Sequence, residues 1–209
     1  MENKVLILDI DGVVAKLHER VECISQKLFQ KPFCTLDTEK EIKVWNAIDV
    51  SDLKKWEDFN LKYCDELQKI FKKIYWLSKV PLSWVNKRNN WLRGLGLNRF
   101  EAVYNITEEL EEHIRNKNSN LLNKHDVFLK EIKPKHSESQ YYFIDDMVAN
   151  LIQFEKEENF TPILLDRGEN LKMASADYGL NKPEWLADKN KLTFGNWEEI
   201  MEFFRGTHE

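Results

Sequence analysis

The feature that most constrains this chain is a short apolar run near its start that ends in acid: Lys4-Val-Leu-Ile-Leu8, then Asp9-Ile10-Asp11-Gly12. A run of branched residues with no polar alternation reads as a strand covered on both faces, the kind found inside parallel sheets. A second burst, Ile74 to Leu77, ends at Ser78, and a third, Tyr141 to Ile144, ends in Asp145-Asp146. Phe100 to Tyr104 and Pro162 to Leu165 read as further strands. Between them lie stretches with helical spacing: Lys16 to Gln30, Ser51 to Lys73 behind a Ser51 cap, Leu82 to Leu92, Thr107 to Arg115, Asn120 to Ile132, Val148 to Glu158 and Trp197 to Phe204. Lys31 to Ile48 alternates loosely around Pro32 and reads as a hairpin or flap. Strands alternating with helices predict an α/β, Rossmann-like fold, a mostly parallel sheet flanked by helices. One domain is expected over residues 1–209, with a small flap or cap insert within about 15–50.

In such sheets ligands bind beyond the carboxyl ends of the strands. Asp9, Asp11, Ser78, Asp145 and Asp146 all fall just past a strand end, so neighbouring strands would gather them in one crevice. Crowded carboxylates raise one another's pKa, and a divalent cation relieves the repulsion. Magnesium prefers such hard oxygen ligands beside substrate phosphate. A carboxylate can also attack phosphorus, and the reaction then needs cations and donors around the phosphoryl oxygens. Ser78 and Lys124 suit that need, and a second carboxylate, Asp11, can give and take the proton.

These segments resemble the motifs of the haloacid dehalogenase (HAD) superfamily. Leu8-Asp9-Ile10-Asp11-Gly12-Val13-Val14 is similar to the first motif, Ile74 to Ser78 to the second, and Phe143 to Asp146 to the fourth. For the third, a lysine ahead of the fourth, Lys124 is favoured over Lys130, Lys133 and Lys135. The resemblance implies a nucleophilic Asp9, Asp11 as general acid and base, Lys124 as the balancing charge, and Ser78, Lys79 and Gly12 around the substrate phosphate. It also implies Mg²⁺ held by Asp9, the backbone carbonyl of Asp11, and Asp145, with Asp146 acting through water or as an orienting group. Because Asp11 is present, it implies phosphoryl transfer rather than dehalogenation. Within the superfamily, the stretches around Tyr75–Leu97, Tyr141–Asp146 and Ala176–Trp185 are similar to minimal-cap HAD domains associated with RNA repair, and Ile10–Leu17 with the Asp145-Asp146 pair is similar to the 3′-phosphatase domain of phage polynucleotide kinase. Lys79 and Pro81 depart from the Thr-x-Trp usual after that second motif, and no GxxxxGK[ST] kinase pattern occurs.

The resemblance thus implies a Mg²⁺-dependent phosphatase acting on a phosphorylated substrate, with a nucleotide or nucleic-acid end favoured. Two other readings stay open: a silent HAD scaffold that binds a partner, and a phosphotransferase. A formal net charge of −5 gives no basic excess for stable duplex DNA binding. No apolar run reaches the length of a membrane span, and three scattered cysteines form no CxxC pair, so a cytoplasmic protein is expected. Trp76, Trp84 and Trp91 read as core, and Lys79, Lys87, Arg88 and Arg93 as a solvated basic helix face. The five histidines lack ligand spacing and are given no role.

Overall fold

A computed structural model describes residues 3–107, 123–168 and 182–206. Six strands form one sheet: β1 (Lys4–Leu8), β2 (Lys73–Pro81), β3 (Glu101–Thr107), β4 (Gln140–Asp145), β5 (Phe160–Leu165) and β6 (Leu192–Phe194). Their order is β3-β2-β1-β4-β5-β6, and every neighbouring pair is parallel. The chain therefore leaves β1 in one direction and later returns to its other side at β4, so the topological switch point lies between β1 and β4.

Strand parity divides the core in two. Leu6, Leu8, Ile74, Trp76 and Ile144 face one layer, built from α1 (Leu17–Phe29), α2 (Thr38–Asn46), α3 (Leu61–Ile70), α4 (Leu82–Gly94) and the closing α8 (Trp197–Gly206). Val5, Ile7, Tyr75, Leu77, Tyr141 and Phe143 face the other. That layer holds α5 (Lys124–Val127), which runs on through a π turn (Phe128–Ile132), together with α6 (Val148–Leu151) and α7 (Lys182–Ala187). Alternate residues of a strand point to opposite faces, so burial on both sides requires the unbroken apolar runs seen in the sequence. Trp76, Trp84 and Trp91 are buried, as expected of core residues. Among the described residues, no helix is long and apolar enough to cross a membrane.

Three local expectations differ from the structure. Residues 31–48 form no hairpin: a 3-10 turn (Phe33–Thr35) leads into α2, whose start is capped by Asp37 accepting from the Lys40 N–H. The helix expected from Ser51 begins only at Leu61, capped by Asn60. The preceding stretch spends its backbone groups elsewhere, since Lys16 N–H donates to the Lys54 carbonyl and Trp56 N–H to that of Val14, both at 2.8 Å. These bonds tie it to the loop after β1. The helix expected from Val148 to Glu158 stops being α-helical at Leu151 and tightens into a 3-10 turn. Of the helix expected over 107–115, Thr107 instead ends β3 and the rest lies outside the described residues.

Candidate active site

β1 and β4 deliver their terminal acids to the switch point. Asp9 and Asp145 share strand parity with Ile7 and Phe143, so both project toward α5. There Lys124, 4% exposed, places its Nζ 2.8 Å from Asp9 Oδ1, as an ion pair, and 2.7 Å from Asp145 Oδ2, as a hydrogen-bond donor. Lys124 opens α5 behind a capping box in which Asn123 and Asp126 bond reciprocally, which fixes where its side chain starts. Asp145 also accepts from the Met147 N–H at 2.8 Å and from Asn150 Nδ2 at 3.0 Å. Asp146 bonds His18 Nε2 at 2.9 Å.

The carboxylates of Asp9, Asp145 and Asp146 are buried, with ligand oxygens all within 4.8 Å of one another. Burial pushes the Asp9 carboxyl well above its usual range; Lys124 pulls it down, while Asp145, Asp146 and Asp11 push it further up. Asp145 is likewise raised, by burial first, against the opposing pull of Lys124. Lys124 is raised in turn: burial disfavours its charge, but Asp145 and Asp9 outweigh that. For His18, burial acts downward and the bond and charge of Asp146 act upward, and the net shift is upward. Three buried carboxylates thus gather around Lys124, with His18 on Asp146, and present a set of hard oxygen donors. That donor set fits a magnesium ion.

Asp11 sits apart from this trio. Its Oδ1 accepts from Arg88 Nη2 at 2.6 Å and its Oδ2 lies 3.4 Å from Ser78 Oγ. Ser78 shares the parity of Trp76 and so faces the α4 layer, from which Arg88 comes. Gly12 makes the turn possible. Its φ is +77°, and a Cβ there would lie 1.8 Å from Asp146 Oδ2. Gly12→Ala is therefore expected to destabilise the fold by about 2 kcal/mol or more through backbone strain alone, and to displace Asp146. Urea denaturation would measure the first effect and a magnesium-induced melting shift the second.

Arg167, just past β5, closes the other side of the turn. It donates to the Gly12 carbonyl at 3.3 Å, pairs with Asp58 at 2.8 Å and lies over the Trp56 ring. Trp197 Nε1 donates to the Val13 carbonyl at 2.9 Å.

The structure thus brings Asp9, Asp11, Gly12, Ser78, Lys124, Asp145 and Asp146 to one strand-end crevice. Of the competing lysines, Lys130 is exposed, Lys133 pairs with Glu157 and Lys135 with Glu101. Lys79 follows Ser78 with opposite parity, on the side of Lys124. It is exposed and pairs with no carboxylate among the described residues. Partial desolvation, with Lys124 nearby, holds its pKa below the ordinary lysine value.

Two assignments change. Arg88 is no part of a solvated face, because it is completely buried. Trp84, Arg88 and Trp91 follow i, i+4, i+7 spacing, so the buried stripe of α4 carries Arg88 with it. His18 does have a role, on Asp146, but its partner is 128 residues away and no spacing marks it.

No protein-family model and no curated protein matches the chain. Its fold is that of the HAD-like hydrolases, as solved structures establish. One is a protein of Clostridium difficile named as a phosphatase, with TM-score 0.61, 14% identity, and 98% of this chain and 99% of that one covered. Another is a Burkholderia xenovorans protein named as a haloacid dehalogenase-like hydrolase, with TM-score 0.60, 10% identity, and 97% and 96% covered. A third is YfnB of Bacillus subtilis, named as a HAD-hydrolase and solved bound to magnesium, with TM-score 0.56, 9% identity, and 98% and 99% covered.

Proposed function

We propose that this chain is a magnesium-dependent phosphomonoesterase that works through an aspartyl-phosphate on Asp9. The observation that carries the reading is the division of labour at the switch point. Three buried carboxylates and Lys124 form one cluster. The carboxylate two residues after Asp9 is held outside it, against Ser78 and Arg88.

In the first half-reaction Asp9 attacks phosphorus, the bond to the leaving oxygen breaks, and Asp11 gives that oxygen its proton. In the second, Asp11 takes a proton from water as the water attacks phosphorus, and the bond to Asp9 breaks to release inorganic phosphate. Lys124 compensates the charge of Asp9 throughout, and the Ser78 hydroxyl and Lys79 ammonium are donors for phosphoryl oxygens. Asp9, Asp145 and Asp146, with the Asp11 backbone carbonyl, would hold the magnesium ion. When bound, it supplies positive charge to the phosphoryl oxygens.

The substrate class we favour is a nucleotide or nucleic-acid end. Its support is Lys79 at the rim, which pairs with no carboxylate among the described residues, followed closely by Leu82, which is 60% exposed: a cation for a phosphate next to an apolar surface for a base.

Turnover of p-nitrophenyl phosphate is expected with added Mg²⁺, lost to chelator and restored by the metal. Saturating Mg²⁺ at a hundred times its Kd is expected to stabilise by about 2.7 kcal/mol, a rise in melting temperature of roughly 5–10 °C for a chain of this size. Absence of both turnover and a melting shift would overturn the proposal. A panel of nucleotides, sugar phosphates and 3′-phosphorylated oligonucleotides tests the substrate class, and activity confined to small sugars rejects it.

A further inference from the structure

We propose that Arg88 is a positioning residue that fixes the carboxylate of Asp11 for proton delivery to the leaving group. The inference rests on the reading of Asp11 as the general acid, and goes beyond it by naming what holds that acid in place.

Arg88 is fully buried, and a guanidinium keeps its charge in a protein. A charge so placed is tolerable when several acceptors surround it. Here, among the described residues, Asp11 Oδ1 is its one hydrogen-bond acceptor, at 2.6 Å, while Nε and Nη1 have none. The Trp91 ring, 5.5 Å away, supplies the remaining favourable contact. As a stabilising device the arrangement is poor, which points to a different use.

Asp11 needs such an anchor. Its contact with Ser78 at 3.4 Å is too long to set a direction. Three other carboxylates stand in the adjoining cluster, where a magnesium ion would attract a fourth. The short bond to Arg88 keeps Asp11 out of that cluster and aims it from the α4 side. α4 is itself anchored in the core, with Trp84, Trp91 and Leu92 buried. When the bond from phosphorus to the leaving oxygen breaks, the proton passes from Asp11 Oδ2 to that oxygen, while Oδ1 goes on accepting from Arg88 Nη2.

The test compares a leaving group that needs a proton with one that does not. p-Nitrophenolate departs unassisted, whereas the alkoxide of β-glycerol phosphate does not. Arg88→Met is expected to lower kcat on β-glycerol phosphate by about 10²-fold and on p-nitrophenyl phosphate by less than about tenfold, with KM little changed on either. Arg88→Lys, which keeps the charge but loses the planar fork, should fall between. Should Arg88→Met fail to fold by circular dichroism, the ratio for Arg88→Lys against the parent decides. Asp11→Asn is measured alongside. If Asp11→Asn discriminates between the substrates and the Arg88 variants lose equally on both, the role of Arg88 is overturned and that of Asp11 stands. If Asp11→Asn itself shows no discrimination, the general-acid reading fails and the positioning role fails with it.

Discussion

Asp9→Asn is expected to abolish turnover, by at least about 10⁴-fold in kcat, while leaving the protein folded and, without metal, more stable. The amide is almost the same shape but cannot form the acyl phosphate. The stability gain follows from charge. Burial holds the Asp9 carboxyl well above its ordinary pKa, and Asp145, Asp146 and Asp11 add to the rise against the pull of Lys124. Between the unfolded value and that raised one, the native state binds more protons than the unfolded chain, so stability falls as pH increases through this window. Above the unfolded value the Asp9 carboxyl is therefore a net cost to the fold, and the amide removes it. Melting curves without magnesium should shift upward and show a flatter pH dependence in the variant, and the magnesium-induced shift should shrink. Turnover near the parental level would remove Asp9 from the chemistry.

Lys124→Met is expected to act on stability and activity together. The ammonium lies 2.7 Å from Asp145 and 2.8 Å from Asp9, and it is buried with them. Taking one partner from a buried charge cluster costs about 3–5 kcal/mol, which for a chain of this length lowers the melting temperature by roughly 6–20 °C. The pKa of Lys124 is raised in the folded protein, so its contribution is complete below the unfolded lysine value and fades only as pH rises through the folded one. The loss should therefore be fully expressed at neutral pH. Magnesium should recover part of it by replacing the missing positive charge. A variant that melts within a degree of the parent and keeps its activity would mean that Lys124 takes no part in this balance.

What the sequence revealed, and what it hid, follows from where each signal resides. Asp9, Asp145 and Asp146 were legible because each ends an apolar run, and a strand buried on both faces has no other use for acid at its tip. Lys124 was legible only as a choice among neighbours, and of the four lysines it is the one the fold buries against Asp9 and Asp145. Arg88 was misread because its charge was weighed above its spacing between Trp84 and Trp91. His18 and Asn150 are held by tertiary contacts alone, with Asp146 and Asp145. The stretch around Trp56 and Phe59 looked helical because its apolar residues recur near helical spacing. Its backbone bonds instead to the loop after β1, and long-range pairing of that kind leaves no local trace. α2 was mistaken for a hairpin even though Asp37, Glu39 and Glu41 carry the acidic start of a helix.

The opposite parities of Ser78 and Lys79 have a consequence for how such a site can change over time. The sheet acts as a partition, with Asp11, Ser78 and Arg88 supplied from one compartment and Asp9, Asp145 and Lys124 from the other. On the proposed reading, remodelling beneath α4 would change how a departing group is protonated while Asp9, Asp145 and Lys124 stay in place, and a shift of α5 would do the reverse. Asp146 joins the two sides, since it ends β4 beside Asp145 yet bonds His18 of α1; on the proposed reading, changes that spare this link would open the site to new leaving groups while the reaction at phosphorus stays the same.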